Sequence, residues 1–392
     1  MNYILFDDES RNSLLPFTFT RPVAEIRIGI LKISEKWELF LKKKVSFYTQ
    51  DYLQKKYPIR FANGENNLWI NGKICPDNNI LKEIKSLKIN QVLLHENTII
   101  AANTGLTAQF NPLSINVMLE RIQAKNHPLF IDNIHDVFSK NAHAFVIDFD
   151  KIAKGRKSLP LSKTNRHIGK GKVFIEKGAT VEGVIFNTTN GNIYIGKNAV
   201  VMEGSMIRGP FALCEHSEVK MGAKIYGATT IGPYSKVGGE INNSVIFGYT
   251  NKGHDGFLGN SVLGEWCNLG ADTNNSNLKN NYGNVKLWNY EQKKMVDTGL
   301  QFCGLFMGDH SKCGINTMFN TGTVAGVNSN VFGAGFPPTF IPSFSWGGAD
   351  GFEKYQFAKA IEVAKRVMER RNQILSDEDI KILDYVFKLK SA

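Results

Sequence analysis

Eight aliphatic residues in the middle of the chain recur at an unbroken spacing of six. They are Ile195, Val201, Ile207, Leu213, Val219, Ile225, Ile231 and Val237. An α-helix repeats about every 3.6 residues and a strand every two, so neither produces long runs of six. A hexapeptide β-helix does, because each flat face points one aliphatic side chain into a shared core before the chain turns. The spacing therefore predicts a β-solenoid.

The same step returns twice after the first run. It reappears at Phe257, Leu263 and Leu269, and again at Met307, Cys313, Phe319, Ala325 and Val331. The rhythm is broken at residues 242–256 and by a longer excursion at residues 274–306. Interruptions of a repeat tend to form loops on one face, and that face often binds a ligand. We therefore expect a functional site near these two breaks.

The segments on either side of the repeats have other patterns. Short apolar runs predict strands at "NYILFD", "KVSFYTQ", "NLWING", "QVLLHEN" and "AFVIDFD", while "GILKISEKWELFLKK" and "PLSINVMLERIQAK" have helical spacing. This alternation favours an α/β domain over residues 1–150, followed by a basic linker at 151–164. The solenoid is expected over 165–336. The remainder, 337–392, is predicted to be helical, with "SDED" as an N-terminal cap.

Composition limits the classes of protein to consider. The 392 residues are 42% hydrophobic and 21% charged, which is typical of a soluble globular protein. Five scattered cysteines, an N-terminus unlike a signal peptide and the lack of a long apolar run favour a cytoplasmic protein without a membrane segment. The net charge of +11 suits an anionic partner. Since no nucleic-acid motif accompanies the charge, we expect small phosphorylated ligands and no nucleic acid.

The first break carries a recognisable pattern. "NKGHDGFLGNSVLGEWCNLGADTNNSN", followed by "NNYGNVKL", resembles the acetyltransferase half of the bifunctional GlmU-type enzymes. The resemblance implies a left-handed parallel β-helix that acts as a homotrimer. It also implies acetyl transfer from acetyl-CoA to an amino-sugar 1-phosphate, with glucosamine 1-phosphate as the first candidate, and a later coupling of the product to UTP.

By this resemblance, His254 is the catalytic base, since a neutral histidine can take a proton near pH 7. Phe257 stands where the family has a tyrosine, a departure that leaves the identity of the sugar open. The other residues that the resemblance assigns fall into two groups. Substrate binding is expected from Arg208, Lys236, Lys252, Asp255, Phe257, Asn268, Asn281, Tyr282 and Lys286, and contact with coenzyme A from Gly314, Ile315 and Ala325.

The opening of the chain has its own resemblance. The stretch from Phe6 to Trp37 resembles a Bacteroidetes-type subfamily of GlmU-like sugar nucleotidyltransferases fused to a β-helix. The glycine-rich loop that cradles phosphates in general nucleotidyltransferases is replaced here by "DDES", whose acids repel a triphosphate unless Mg²⁺ intervenes. If this domain is active, with Mg²⁺, the candidate residues are Arg11, Arg21, Glu25, Arg27 and Lys36.

Three alternatives remain open at this stage. The N-terminal domain could act on another sugar 1-phosphate. The solenoid could be a zinc carbonic anhydrase, because His216, His254 and His310 all lie in the repeats. The chain could also be a catalytically silent trimeric scaffold. No metal ligand set can be assigned from the sequence.

Overall fold

The structure is a computed structural model that describes residues 1–62, 64–106 and 119–389. It divides into two compact units. The first unit combines Met1–Ile26 with Leu31–Asn133, and the second combines Arg27–Ile30 with Ile134–Ala392. The domain bounds set out above stay predictions. Within the described ranges, no helix is long and apolar enough to cross a membrane.

The first unit is built on a six-stranded mixed sheet. Alternation places Ile4 and Phe6 on one face of the strand that follows Met1, where they pack with Trp69, Val92 and Ala102. That strand pairs in parallel with both of its neighbours. In sheet order the strands are Ser46–Tyr48, Asn2–Phe6, Asn67–Asn71, Thr98–Asn103, Gln91–His95 and Glu120–Gln123.

Helices and short strands complete this part of the chain. The α-helices are α1 (Ile33–Leu41), α2 (Asp51–Gln54) and α3 (Asn78–Lys85). The 3-10 helices are Glu9–Leu14, Phe17–Phe19 and Val23–Glu25. The short strands of the first unit are Leu31–Lys32, Ile74–Cys75 and Leu129–Phe130, whereas the short strand Arg27–Ile28 belongs to the second unit.

Two sequence-based elements differ from the structure. Part of the helix predicted in "PLSINVMLERIQAK" lies outside the described residues, and Glu120–Gln123 forms a strand, so the prediction is wrong there. The strand predicted at "AFVIDFD" is also wrong, because this segment lies in a helix, Asn141–Ala153. Its buried residues include Ala144, Phe145, Asp148 and Phe149, a helical stripe that a short apolar run does not distinguish from a strand.

The second unit is a parallel β-helix, so the predicted fold class is confirmed. Its described strands stack in three ladders. The first ladder contains Arg166–Ile168, Ile185–Asn187, Met206–Arg208, Lys224–Tyr226, Glu240–Asn242 and Phe257–Gly259. The second ladder contains Val173–Ile175, Ile193–Ile195, Phe211–Leu213, Thr229–Ile231, Val245–Gly248, Val262–Glu265, Phe306–Met307, Val324–Ala325 and Phe340–Ile341.

The third ladder is the longest of the three in the described residues. It contains Thr180–Val181, Val200–Val201, Glu218–Val219, Lys236–Val237, Asn251–Lys252, Asn268–Leu269, Lys312–Cys313, Asn330–Val331, Ser345–Gly348 and Gly351–Lys354, the last of which pairs antiparallel. Outside the ladders, Asn274–Asn275 pairs with Met318–Phe319, and Lys286–Asn289 forms a hairpin with Lys294–Asp297.

The predicted inward residues form the core of the solenoid. All eight members of the first run, from Ile195 to Val237, are at most 1% exposed. The later run from Met307 to Val331 also lies in this core. The inward phase is wrong at Phe257, because Leu258 pairs with Ile241 and takes the inward position.

The first break changes the length of a coil. Ile195 pairs with Leu213, eighteen residues on, as expected for three hexapeptides. Ile231 instead pairs with Ile246, and Val237 with Lys252, each only fifteen residues on. The shortened coil therefore puts Lys252, and no aliphatic residue, at an inward position.

One corner of the solenoid is an aromatic stack. His216, Tyr234, Tyr249, Trp266 and His310 lie ring on ring, with interplanar angles of 4° to 15°. Each has φ between 53° and 63°. Bulky side chains rarely adopt this left-handed backbone, so stacking with the coils above and below supports it.

Four helices pack with the coils in the described part of this unit. They are α4 (Asp136–Ser139), α5 (Asn141–Ala153), α6 (Phe357–Glu369) and α7 (Asp377–Lys388). The predicted cap of the last helix is confirmed, because the Ser376 side chain accepts from the Asp379 N–H and Asp379 bonds back to Ser376. Helix α6 buries Ala360, Ile361 and Ala364 on one apolar stripe.

Candidate active site

A cavity of about 960 Å³ lies between the third ladder and helix α6. The strand residues that face it precede the inward residues of their coils, so they point outward. Val363 and Val367 of α6 close the opposite side. The full lining is Lys220, Lys236, Tyr249, Asn251, Gly253, His254, Trp266, Cys267, Asn268, Leu269, Gly270, Ala271, Lys312, Ile315, Val363, Val367, Arg370 and Arg371.

The charge of this cavity is one-sided. Five lining residues are cationic and, among the described residues, none that lines it is acidic; the cations are Lys220, Lys236, Lys312, Arg370 and Arg371. Glu218 lies nearby and pairs with Lys220 at 2.6 Å and with Lys236 at 2.7 Å, which offsets part of the positive charge. We call this space the basic cavity. Its size and sign suit a large anionic ligand.

His254 is the titratable residue at the break that reaches this cavity. It is exposed, in a turn that directly follows strand Asn251–Lys252. The turn packs tightly on the coil below, because a Cβ at Gly239 would lie 2.9 Å from the His254 carbonyl oxygen and 2.8 Å from the Asp255 Cα. Gly256 adopts φ +111°, and a Cβ there would lie 2.2 Å from the Thr273 oxygen. The two glycines allow the chain to place an exposed imidazole at the cavity.

Lys252 has an unusual place beneath this turn. Its side chain is 1% exposed, and its Nζ donates to the carbonyl oxygens of His254 at 2.5 Å and Asp255 at 3.1 Å. Burial lowers the pKa of the Lys252 ammonium to about 8. Asp255 is exposed and, like Lys252, is not among the described residues that line the basic cavity.

The other sugar-site residues separate into two sets. Lys236 and Asn268 line the basic cavity with His254. Arg208 lies on the first ladder and lines a different cavity of about 520 Å³. The remaining residues that are expected to contact the sugar also lie outside the described lining of the basic cavity. These are Phe257, Asn281, Tyr282 and Lys286.

The expected coenzyme A residues also separate. Ile315 is 71% exposed and lines the basic cavity. Gly314 packs against Gly270, where a Cβ would lie 2.4 Å from the Gly314 carbonyl carbon. Ala325 is fully buried in the solenoid core. Only the first of these three faces the basic cavity directly.

Several residues of the basic cavity were missed by the sequence reasoning. Lys312, Tyr249 and Trp266 had no expected role, nor did the two arginines that follow α6. The six-residue period could have indicated Lys312. This lysine pairs with Asn268 and stands one place before the inward Cys313. The outward column one place before the core residues identifies the wall of the cavity. The arginines are brought there by tertiary packing, which no local pattern reports.

Most of the N-terminal candidates are buried. Arg11 is buried, and its guanidinium donates to the Thr18 carbonyl and the Tyr52 hydroxyl. Glu25 accepts from Lys32 and Ser34. Arg21 and Lys36 are also buried, and Arg27 belongs to the second unit, where it donates to the Phe247 carbonyl at 3.0 Å.

The two aspartates that follow the first strand do not fit a Mg²⁺ site here. Asp7 accepts from the Val23 N–H and the Thr49 hydroxyl, and burial raises its pKa to about 6. Asp8 accepts from Ser10 and from the Asn71 amide. Both carboxylates therefore already accept hydrogen bonds from other residues of the chain. We derive no step through Mg²⁺. In the described parts of the chain, no group of three or more metal-ligating side chains is present.

Known proteins resemble parts of this chain. Residues 3–157 match the family model of sugar nucleotidyl transferases. The bifunctional protein GlmU of Methanocaldococcus jannaschii is 34% identical across 23% of this chain and 21% of its own length. A bifunctional sugar-1-phosphate nucleotidylyltransferase/acetyltransferase of Sulfurisphaera tokodaii is 29% identical across 39% of this chain and 40% of its own. The resemblance to GlmU-like enzymes is thereby confirmed, although the matches span less than half the length of either relative.

Among solved structures, the polySia-specific acetyltransferase NeuO has 14% identity and a TM-score of 0.28, with 54% of this chain and 99% of that chain covered. At that TM-score the likeness carries no argument about this chain.

Proposed function

We propose that this protein transfers the acetyl group of acetyl-CoA to the amine of an amino-sugar 1-phosphate, with His254 as the base. Glucosamine 1-phosphate is the first substrate to test. The observation that carries the proposal is the exposed His254 at a basic cavity of about 960 Å³ with five cationic side chains. The similarity to bifunctional nucleotidylyltransferase/acetyltransferases supports the same reaction.

The basic cavity supplies what a polyanionic acetyl donor requires. Lys236 and Lys312 on the third ladder and Arg370 at the end of α6 offer positive charge, and the apolar side chains of α6 offer contact with uncharged parts of the donor. Gly270 and Ala271 leave space beside Asn268, because neither carries a long side chain. A thioester held along this wall would present its carbonyl near His254.

The chemistry then needs one base. His254 accepts a proton from the substrate ammonium, and the free amine attacks the thioester carbonyl carbon. The new C–N bond forms, the tetrahedral adduct collapses, and the C–S bond breaks. The new amide nitrogen loses its second proton to solvent, and the proton held by His254 passes to the leaving thiolate. The role of the protein is to hold the imidazole next to the two reacting groups, a contribution that positioning alone can make large.

The sugar site would be completed by a second copy of the chain. Asn281 and Tyr282 are exposed on the long insertion and lie outside the described lining of the basic cavity. If they contact the sugar, they do so across an interface between solenoids, as in the homotrimer that the resemblance implies. The trimer is therefore part of this proposal.

A second candidate function belongs to the first unit. Residues 3–157 match sugar nucleotidyl transferases, which favours nucleotidyl transfer from UTP to the sugar 1-phosphate. Under this proposal the product of acetylation would be the acceptor, and UDP-N-acetylglucosamine the product. Another sugar 1-phosphate is the alternative acceptor.

One assay tests both candidates. Thiol release from acetyl-CoA and pyrophosphate release from UTP are measured against a panel of sugar 1-phosphates. We expect His254→Ala to lower kcat for thiol release by about 10²- to 10⁴-fold, because general base catalysis contributes about that much. His167→Ala is the matched control, since His167 lies in the first coil and bonds to Thr188.

Three outcomes contradict the proposal. Equal thiol release by wild type and His254→Ala removes His254 from the mechanism. Lack of release with every amino-sugar phosphate favours a silent scaffold. Stoichiometric zinc together with hydration of carbon dioxide favours a carbonic anhydrase instead.

A further inference from the structure

Lys252 occupies a position that the solenoid otherwise gives to apolar residues. It is in register with Val237 below, and the next coil above places Leu269 at the inward position. Val219 and Cys313 extend the same inward column. A lysine among these side chains is 1% exposed, so its four methylene groups and its ammonium lie within the stack.

An ammonium in this place lowers stability. Removing a charged group from water is unfavourable unless other groups replace the water. Burial accordingly lowers the pKa of the Lys252 ammonium to about 8, and Asp255, Asp272 and Cys313 oppose that shift. An aliphatic residue at the same position would avoid this penalty. The lysine therefore lowers the stability of the fold, whereas Val237 and Leu269 do not.

The two carbonyls that accept from Lys252 belong to the turn that carries His254. Its Nζ donates to the carbonyl oxygens of His254 and Asp255, whose side chains are both exposed. Gly253 and Gly256 flank this pair, and glycine gives a turn many accessible conformations. The ammonium thus adds two hydrogen bonds, from inside the solenoid, to a turn whose own polar side chains are exposed.

We propose that Lys252 is a positioning residue for the His254 turn: it holds the main chain of the turn so that the imidazole stays at the basic cavity. This inference rests on the proposed role of His254 as the base. It assigns Lys252 to the protein side of the site, because the ammonium is directed to two main-chain carbonyls inside the solenoid. A substrate phosphate is not its partner.

The test replaces the donor and keeps the length. In Lys252→Met we expect kcat for thiol release to fall by roughly 10- to 100-fold, since small displacements of a catalytic group have effects of this size. The KM values for both substrates should stay within about twofold of wild type. The melting temperature should stay close to that of wild type, because the removal of the buried charge offsets the loss of two hydrogen bonds. Lys224→Met, at an exposed position of the first ladder, is the matched control.

A second readout does not depend on activity. Amide hydrogen exchange at residues 253–257 should become at least about fivefold faster in Lys252→Met, while exchange in the neighbouring strands stays unchanged. Lys252→Leu, which copies the residue at the next inward position, should behave the same way and provides a second variant if the first folds poorly. Lys252→Arg keeps a donor and should restore part of kcat.

The outcomes separate the two proposals. If wild type transfers no acetyl group, the proposed function fails by itself, and the exchange comparison still decides whether Lys252 holds the turn. Unchanged exchange at residues 253–257 in both apolar variants overturns the inference. A fall in kcat that comes with a lower melting temperature and faster exchange throughout the solenoid also overturns it, because the lysine would then support the fold as a whole.

Discussion

At the scale of single residues, Lys312 is a half-buried cation of the basic cavity. Its Nζ donates to the His310 carbonyl at 2.7 Å, and burial lowers its pKa to about 8. Its positive charge is therefore present below pH 8 and is lost as the pH rises above it. A bound anion that uses this charge should bind less tightly in the same pH range.

We expect the Kd of acetyl-CoA to rise by roughly three- to tenfold between pH 7.5 and pH 9.5. Calorimetric titration without the sugar measures this, so that titration of the substrate amine does not interfere. In Lys312→Met the Kd should be higher at pH 7.5 and nearly independent of pH. The same rise with pH in both proteins would show that another group is responsible.

The residues also show what a sequence can and cannot predict about a site. His254 could be selected because it lies at the break of a strict period, in a motif that resembles the acetyltransferase half of GlmU-type enzymes. The inward direction of Lys252 could not, because it depends on a coil of fifteen residues where the two coils before it have eighteen. The length of the shortened coil depends on which strands pair, and the spacing of residues at the break does not indicate that pairing.

At the scale of elements, helix α6 gives the basic cavity its second wall. Its apolar stripe predicts packing, but the stripe alone does not say against which face of the solenoid. Arg371, just beyond the helix, settles this by donating to the Tyr234 carbonyl at 3.2 Å and to the Asn251 side chain at 2.9 Å. Asn251 belongs to the third ladder and Tyr234 lies two residues before its strand Lys236–Val237, so the end of α6 is held over the cavity.

We predict that Arg371→Ala weakens binding of acetyl-CoA by roughly 5- to 50-fold, because both the cation and the anchor of α6 are lost. Titration of acetyl-CoA measures the effect. Arg366→Ala is the matched control, since Arg366 lies on the same helix in an exposed pair with Glu362 and should change the Kd by less than about twofold. Equal effects of the two substitutions would show that α6 is not held by Arg371.

The elements differ in how well their patterns could be interpreted. A period of six sustained over eight coil faces predicts one architecture, and the structure confirms it. The run "AFVIDFD" is too short to distinguish a helical period from a strand period. The segment is helical in the structure, and Phe145 and Phe149 lie on its buried stripe. Long repeats are therefore predicted well, whereas short apolar runs depend on tertiary packing.

At the scale of the whole molecule, the solenoid is a stack in which each coil contacts the coils directly before and after it. Stability is then a sum of neighbour interfaces, and a defect in the middle affects two of them. The shortened coil with Lys252 and the long insertion interrupt this stack where the site lies. Regular coils on the N-terminal side, such as those of Leu213 and Ile231, therefore contribute much of the stability that allows the interruption.

The last prediction follows from this stacking. Ile231 is fully buried between Leu213 and Ile246, its partners in the coils before and after it. Ile231→Ala should lower the free energy of unfolding of the solenoid by about 2–5 kcal/mol, because the cavity opens contacts to both neighbours. Urea unfolding followed by circular dichroism measures the change. Ile185→Ala removes the same atoms from a side chain that is 39% exposed and should cost less than about 1 kcal/mol. Similar losses for both variants would contradict a core made of inward residues at the six-residue period.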